Sequence, residues 1–122
     1  MRSFGRIVVR CVALTALLAA GCGGTEKGDG RLAFGKEIYL RECARCHMTD
    51  GTGVAGVYPN LADDPIVRLD SPEPAIAIVL GGREGMPGFE GQLPVQELAA
   101  VITYIRHEWH NGASPVTTAQ VK

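Results

Sequence analysis

Several things are missing from this 122-residue chain, and each absence closes off a class of protein. There is no run of alternating apolar and polar residues broken by hairpin turns, so a β-sheet architecture is not expected. No internal repeat is visible. The longest apolar run, Cys11 to Ala20, is about ten residues, against the ~20 that a membrane-spanning helix requires. Four cysteines are present, but there is no second closely spaced pair to complete a four-thiolate metal site. There is no excess of positive charge either. Twelve basic residues face thirteen acidic ones, and without the three arginines of the first ten residues the surplus is four negative charges. A nucleic-acid binder would carry a basic face.

What is present begins at the amino terminus. Arg2, Arg6 and Arg10 precede the short apolar run, and Ala19, Ala20 and Gly21 follow as small residues, the order of an export signal. "LLAAGC" resembles the lipobox of bacterial lipoproteins, although Ala19 stands where leucine is usual. The resemblance implies cleavage after residue 21 and lipid attachment at Cys22, holding the chain on a membrane surface without spanning it. The expected location is therefore exported, lipid-anchored on the periplasmic side of a bacterial membrane. Residues 22–30 are glycine-rich and polar and are expected to be a flexible tether. Residues 113–122 are expected to be a disordered tail. The folded domain is expected over 31–112.

Within that span the pattern is helical. Leu32, Ile38, Tyr39 and Leu40 mark a first helix. Asp64 followed by Pro65 predicts a short capped helix. Ser71 followed by Pro72 and Pro74 predicts another, ended by Gly81. Leu98, Val101, Ile102, Ile105 and Trp109 form one stripe of a final amphipathic helix over 94–110. About 80 residues in four helices bury too little apolar surface to be stable unaided, so a staple is expected.

The stretch "CARCH" supplies it. With Cys11 in the signal and Cys22 at the lipid site, Cys43 and Cys46 remain. A disulfide across two intervening residues would close a very small loop and add little. Cys-x-x-Cys-His is instead the attachment signature of c-type haem. Two thiols at this spacing reach both vinyl groups on one porphyrin edge, and His47 is then directed at the iron. A zinc site would need His107 and His110 as further ligands, and a redox-active dithiol would need a βαβ setting that is absent. The second axial ligand has to come from far along the chain. Met48 is adjacent to His47, and Met1 lies in the signal. Met86 sits in "GREGMPGF", a glycine- and proline-rich loop suited to presenting a side chain to a metal.

Taken together, these motifs resemble the class I cytochromes c over roughly residues 31–111. "GKEIYLRECARCH" is similar to the family's first helix and haem motif, "YPNLA" to its proximal loop and "GMPGF" to its methionine loop. The resemblance implies an all-α cytochrome c fold of about four helices packed around one covalently bound haem c per chain. It implies that Gly35 and Tyr39 cross the last helix at Val101 and Tyr104, that the Pro59 carbonyl orients His47, and that Leu61 packs on the ring. A His/Met-ligated iron implies a one-electron carrier, not an enzyme such as a peroxidase, because no substrate reaches the metal without displacing a ligand. "VITYIRHEWHN" resembles single cytochrome domains that serve bacterial periplasmic or membrane-bound dehydrogenases. The implied partners are redox proteins, a dehydrogenase and/or a terminal oxidase, and no nucleic acid.

Overall fold

The computed structural model describes residues 26–122. The signal, Cys22 and the first residues of the tether lie outside them. Four α-helices occur among the described residues: α1 (Glu26–Ile38), α2 (Ala44–His47), α3 (Glu73–Gly81) and α4 (Val95–His107). A π-helical turn, Tyr39–Cys43, joins α1 to α2, so one continuous helical path runs to His47. None of these helices is long and apolar enough to cross a membrane.

α1 begins at Glu26, so the last five residues of the stretch expected as tether are helical. The helix propagates backwards from its packed end, and Asp29 suits its positive amino-terminal pole. Its buried stripe is Gly35, Ile38 and Tyr39, spaced at i, i+3 and i+4, whereas Leu40 is exposed. The stripe packs chiefly on α4. At the crossing, a methyl group on Gly35 would lie 2.7 Å from Tyr104 Cβ and closer still to the Ala100 carbonyl oxygen. Only glycine permits this approach. Tyr39, Tyr104 and Trp109 then form an aromatic cluster, with ring centroids 5.1 to 5.6 Å apart.

α4 is buried on every side from Leu98 to Arg106, not along a single stripe. One face meets α1. A second, with Val101, Ile102 and Ile105, lines a cavity. The third is covered by the carboxy-terminal segment, which is not the disordered tail expected from its composition. Val116 and Val121 are buried there, and the Val116 amide donates to Thr103 Oγ1 at 2.9 Å. Two valines five residues apart give no periodic signal, yet both are buried, and Val116 bonds back to α4 through Thr103. α4 also stops earlier than 110. Glu108 is extended, and Trp109 and His110 adopt left-handed backbone (φ 51° and 67°), which swings the Trp109 ring back onto Tyr39.

Two further expectations are corrected. Residues 64–70 form a single turn, not a helix. Asp64 does cap it, its Oδ1 accepting from the Ile66 and Val67 amides at 2.8 and 3.0 Å. Ser71 does not cap α3; Pro72 occupies the N-cap with no side-chain hydrogen bond. The first turn already lacks the amide of Pro74, leaving one fewer donor to satisfy.

Candidate functional site

α2 is only four residues long, but together with the last residue of the π-helical turn it delivers three chemical groups to one place. Cys43, Cys46 and His47 all line a cavity of about 350 Å³. The π-helical turn adds a residue to the spiral just before it, and such turns concentrate at functional sites. Tyr39 fixes the exit of this helical path, its hydroxyl donating to the Met48 carbonyl at 2.6 Å. Met48 itself turns away with φ 63°.

The His47 ring is buried, and its Nδ1 lies 2.9 Å from the Pro59 carbonyl oxygen. A carbonyl only accepts, so Nδ1 carries the proton. Nε2 is left as the ring's electron-pair donor in a side chain that lines the cavity. The loop that brings Pro59 back to His47 depends on glycine. Gly53 has φ +64°, its amide donates to the His47 carbonyl at 3.0 Å, and a methyl group there would collide with the Tyr58 and Pro59 backbone. Gly51 accepts from the Leu61 amide at 2.7 Å, which sets Leu61 on the cavity wall.

Met86 reaches the same cavity from a tight turn. Its amide donates to the Arg83 carbonyl at 2.9 Å, and the Arg83 amide donates back at 3.1 Å. Gly82, with φ +76°, abuts Pro87 and Gly88 so closely that no side chain fits. The thioether is thus held by backbone geometry and not by a helix face. Between the cysteines and Met86 the walls are mostly apolar, formed by Val67, Val79, Phe89, Leu93, Ile102 and Ile105 among others, and the charged residues Glu42, Arg45, Asp64, Arg83 and Glu84 complete the lining.

The donor set suits an iron porphyrin: two free thiols, one imidazole with its free nitrogen available, one soft thioether and a mostly apolar lining. It does not suit the alternatives. Burial, with smaller contributions from Glu42 and Cys46, pushes the Cys43 thiol up to about 12. A redox-active dithiol needs a thiolate nucleophile, which burial disfavours at Cys43. His107 and His110 are exposed, and no three His, Cys, Asp or Glu side chains gather as a metal-binding group among the described residues.

All six candidate residues within the described part, Cys43, Cys46, His47, Pro59, Leu61 and Met86, therefore meet at one cavity; Cys22 lies outside the described residues. Val101, expected at the helix crossing, lines the cavity as well, and Ala100 takes the place opposite Gly35. Two residues with supporting roles had no distinctive sequence signal. Asn111 donates to the Leu61 and Ile105 carbonyls and accepts from the Asp63 amide, tying the proximal loop to the end of α4. Arg106 is fully buried within the apolar run of α4.

The family described as "Cytochrome C oxidase, cbb3-type, subunit III" matches residues 30–105. The cytochrome c subunit of the quinone alcohol dehydrogenase of Gluconobacter oxydans is 39% identical over 86% of this chain, which spans 23% of that relative's length. Cytochrome c-552 of Thermus thermophilus is 30% identical, with 74% of this chain and 82% of the relative covered. Among solved structures, cytochrome c6 of the diatom Phaeodactylum tricornutum superposes with a TM-score of 0.55 at 28% identity, covering 66% of this chain and 97% of that one. The chain belongs to the c-type cytochromes and carries electrons on a covalently bound haem c.

Proposed function

We propose that Cys43 and Cys46 hold the haem by thioether bonds, that His47 and Met86 are its axial ligands, and that the chain passes electrons one at a time between proteins at a membrane surface. The observation that carries this reading is the 2.9 Å bond from His47 Nδ1 to the Pro59 carbonyl, made in the cavity that Met86 also lines. The haem iron supplies the one-electron couple; every other part of the task falls to the chain. Pro59 fixes the ring tautomer and raises the basicity of Nε2. Leu61 and the walls from Val67, Phe89 and Ile102 keep water from the metal, which favours the less charged ferrous form. The soft sulfur of Met86 acts in the same direction. With His47 and Met86 both holding the iron, exogenous ligands would be excluded, which suits a carrier and not a peroxidase.

The likeness to dehydrogenase subunits, including the gluconate 2-dehydrogenase cytochrome c subunit of Pantoea cypripedii at 34% identity, supports a dehydrogenase as electron donor. A terminal oxidase is the natural class of acceptor. Residues 1–21 serve as the export signal in this reading, and lipid on Cys22 keeps the domain at the periplasmic face of the membrane. A Cys22→Ser protein should then move to the soluble fraction with its spectrum unchanged.

The deciding experiment is ligand binding by the ferrous protein. The parent should resist carbon monoxide. Met86→Ala should bind it readily and should lose potential, while His107→Ala and His110→Ala should behave as the parent. Carbon monoxide binding by the parent, or resistance in Met86→Ala, would overturn the axial assignment.

A further inference from the structure

One wall of the haem cavity is the 64–70 turn, which contributes Ile66 and Val67. Its own hydrogen bonding is slight: the Asp64 cap, and amide bonds from Arg68 and Leu69 at 3.1 and 3.4 Å. Arg106 fastens it to the body of the protein. The guanidinium is fully buried. Nη1 donates to the Val67 carbonyl at 2.9 Å. Nη2 donates to the Leu69 carbonyl at 2.9 Å, with a longer contact to Asp70 at 3.4 Å, and Nε donates to the Ser114 carbonyl at 3.0 Å.

Every acceptor is a main-chain carbonyl. Among the described residues no carboxylate is hydrogen-bonded to this arginine; Asp70 and Glu73 stabilise its charge only from a distance. Burying a cation without an ion pair is costly. A neutral amide ties the neighbouring 61–63 segment to the same helix end through Asn111, so tying a loop does not by itself require a charge. Desolvation lowers the Arg106 pKa, but a guanidinium remains charged at neutral pH.

We propose that Arg106 is a positioning residue for the redox centre, holding the Ile66–Val67 wall against the haem and, through a buried charge that no carboxylate contacts, disfavouring the ferric state. This rests on the haem occupying the cavity as described above. In the couple, ferric haem takes one electron from a redox partner and the site loses one positive charge. Arg106 keeps its proton in both states. Exclusion of water and the nearby cation both favour the ferrous side, so both raise the potential.

The test is a spectroscopic redox titration of the holoprotein and four variants. Arg106→Gln removes the charge and most of the clamp. Its ratio of reduced to oxidised protein should fall roughly tenfold at the parent's midpoint, a shift of about 59 mV for one electron. Arg106→Lys keeps the charge but loses the fork, and should fall between the parent and Arg106→Gln. Val67→Ala opens the same wall without touching the charge and should also lower the midpoint. Arg68→Gln removes an exposed arginine of the same segment, one paired with Asp63, and should leave the midpoint unchanged. If Arg106→Gln does not fold, the Arg106→Lys and Val67→Ala midpoints decide. The proposal is wrong if the Arg106 variants and Val67→Ala keep the parent's potential, or if Arg68→Gln shifts it as far. A parent lacking covalent haem would instead overturn the reading on which the proposal rests.

Discussion

Gly35 and Gly53 both sit where no methyl group fits, but the surroundings that exclude it differ. Gly35 lies in a regular helix, pressed against Ala100 and Tyr104 of another helix. Gly53 lies in a left-handed turn, pressed against the chain's own backbone at Tyr58 and Pro59. The first belongs to a crossing of α1, α4 and the carboxy-terminal segment, which fills its interior with its own side chains. The second belongs to residues 48–94, which include one helix of nine residues and several left-handed positions at Met48, Gly51, Asp63, Gly82 and Glu84. That half closes around a cavity, which its buried Val67, Ala75 and Phe89 line. In the proposed function the cofactor would complete the interior of this half, while the other half would serve as the scaffold on which it is mounted.

This contrast can be broken most severely at the cysteines. Cys43→Ala with Cys46→Ala should abolish covalent haem, and the 48–94 half should lose its order with most of the remaining fold, because ~80 residues bury too little alone. Haem staining after denaturation and hydrogen exchange of the 48–94 amides would check it. On the scaffold side, Gly35→Ala should force the crossing apart and cost about 1–3 kcal/mol. A denaturant titration would report that loss, and the potential should hardly move. Between the two halves, Asn111→Ala would strand the Asp63 amide and the Leu61 and Ile105 carbonyls. A loss of about 1–3 kcal/mol is expected, with protection lost first at residues 61–63. The smallest effect is acid sensitivity at Asp50. The Thr52 hydroxyl and amide hold its carboxyl below the ordinary range. A depressed folded pKa stabilises above the unfolded value, about 3.9 for Asp, and that contribution is lost as pH falls through the folded one. The carboxyl is exposed, so Asp50→Asn should only slightly flatten the loss of thermal stability below about pH 4.

The two halves were also unequally legible in the sequence. Covalent attachment is local chemistry, so Cys43, Cys46 and His47 stand out as three letters at fixed spacing. Met86 is marked by the glycine- and proline-rich loop around it, and Tyr39 by the helical pattern of the first helix. Pro59 and Gly35 are legible only through the family resemblance. What escaped notice depends on long-range fit. Arg106 reads as an ordinary helix residue, since nothing local shows that three carbonyls from 67, 69 and 114 converge on it. The order of the tail is not legible in the sequence, because Val116 and Val121 are buried without any period to mark them. Trp109 fits the helical stripe by spacing, yet α4 ends before it and its ring arrives at Tyr39 through left-handed backbone. The Asp64 turn carried a helix-start signal, but the segment is held by Arg106 in a form too short to become a helix.

The account rests on one haem joined to the chain by Cys43 and Cys46. The most direct measurement is the intact mass of the mature protein under denaturing conditions, with the visible spectrum of the same sample. The predicted result is a single species carrying the mass of one haem on the polypeptide, still red after unfolding and acid–acetone extraction. A colourless chain at the bare polypeptide mass, or one that releases its haem on unfolding, would contradict it.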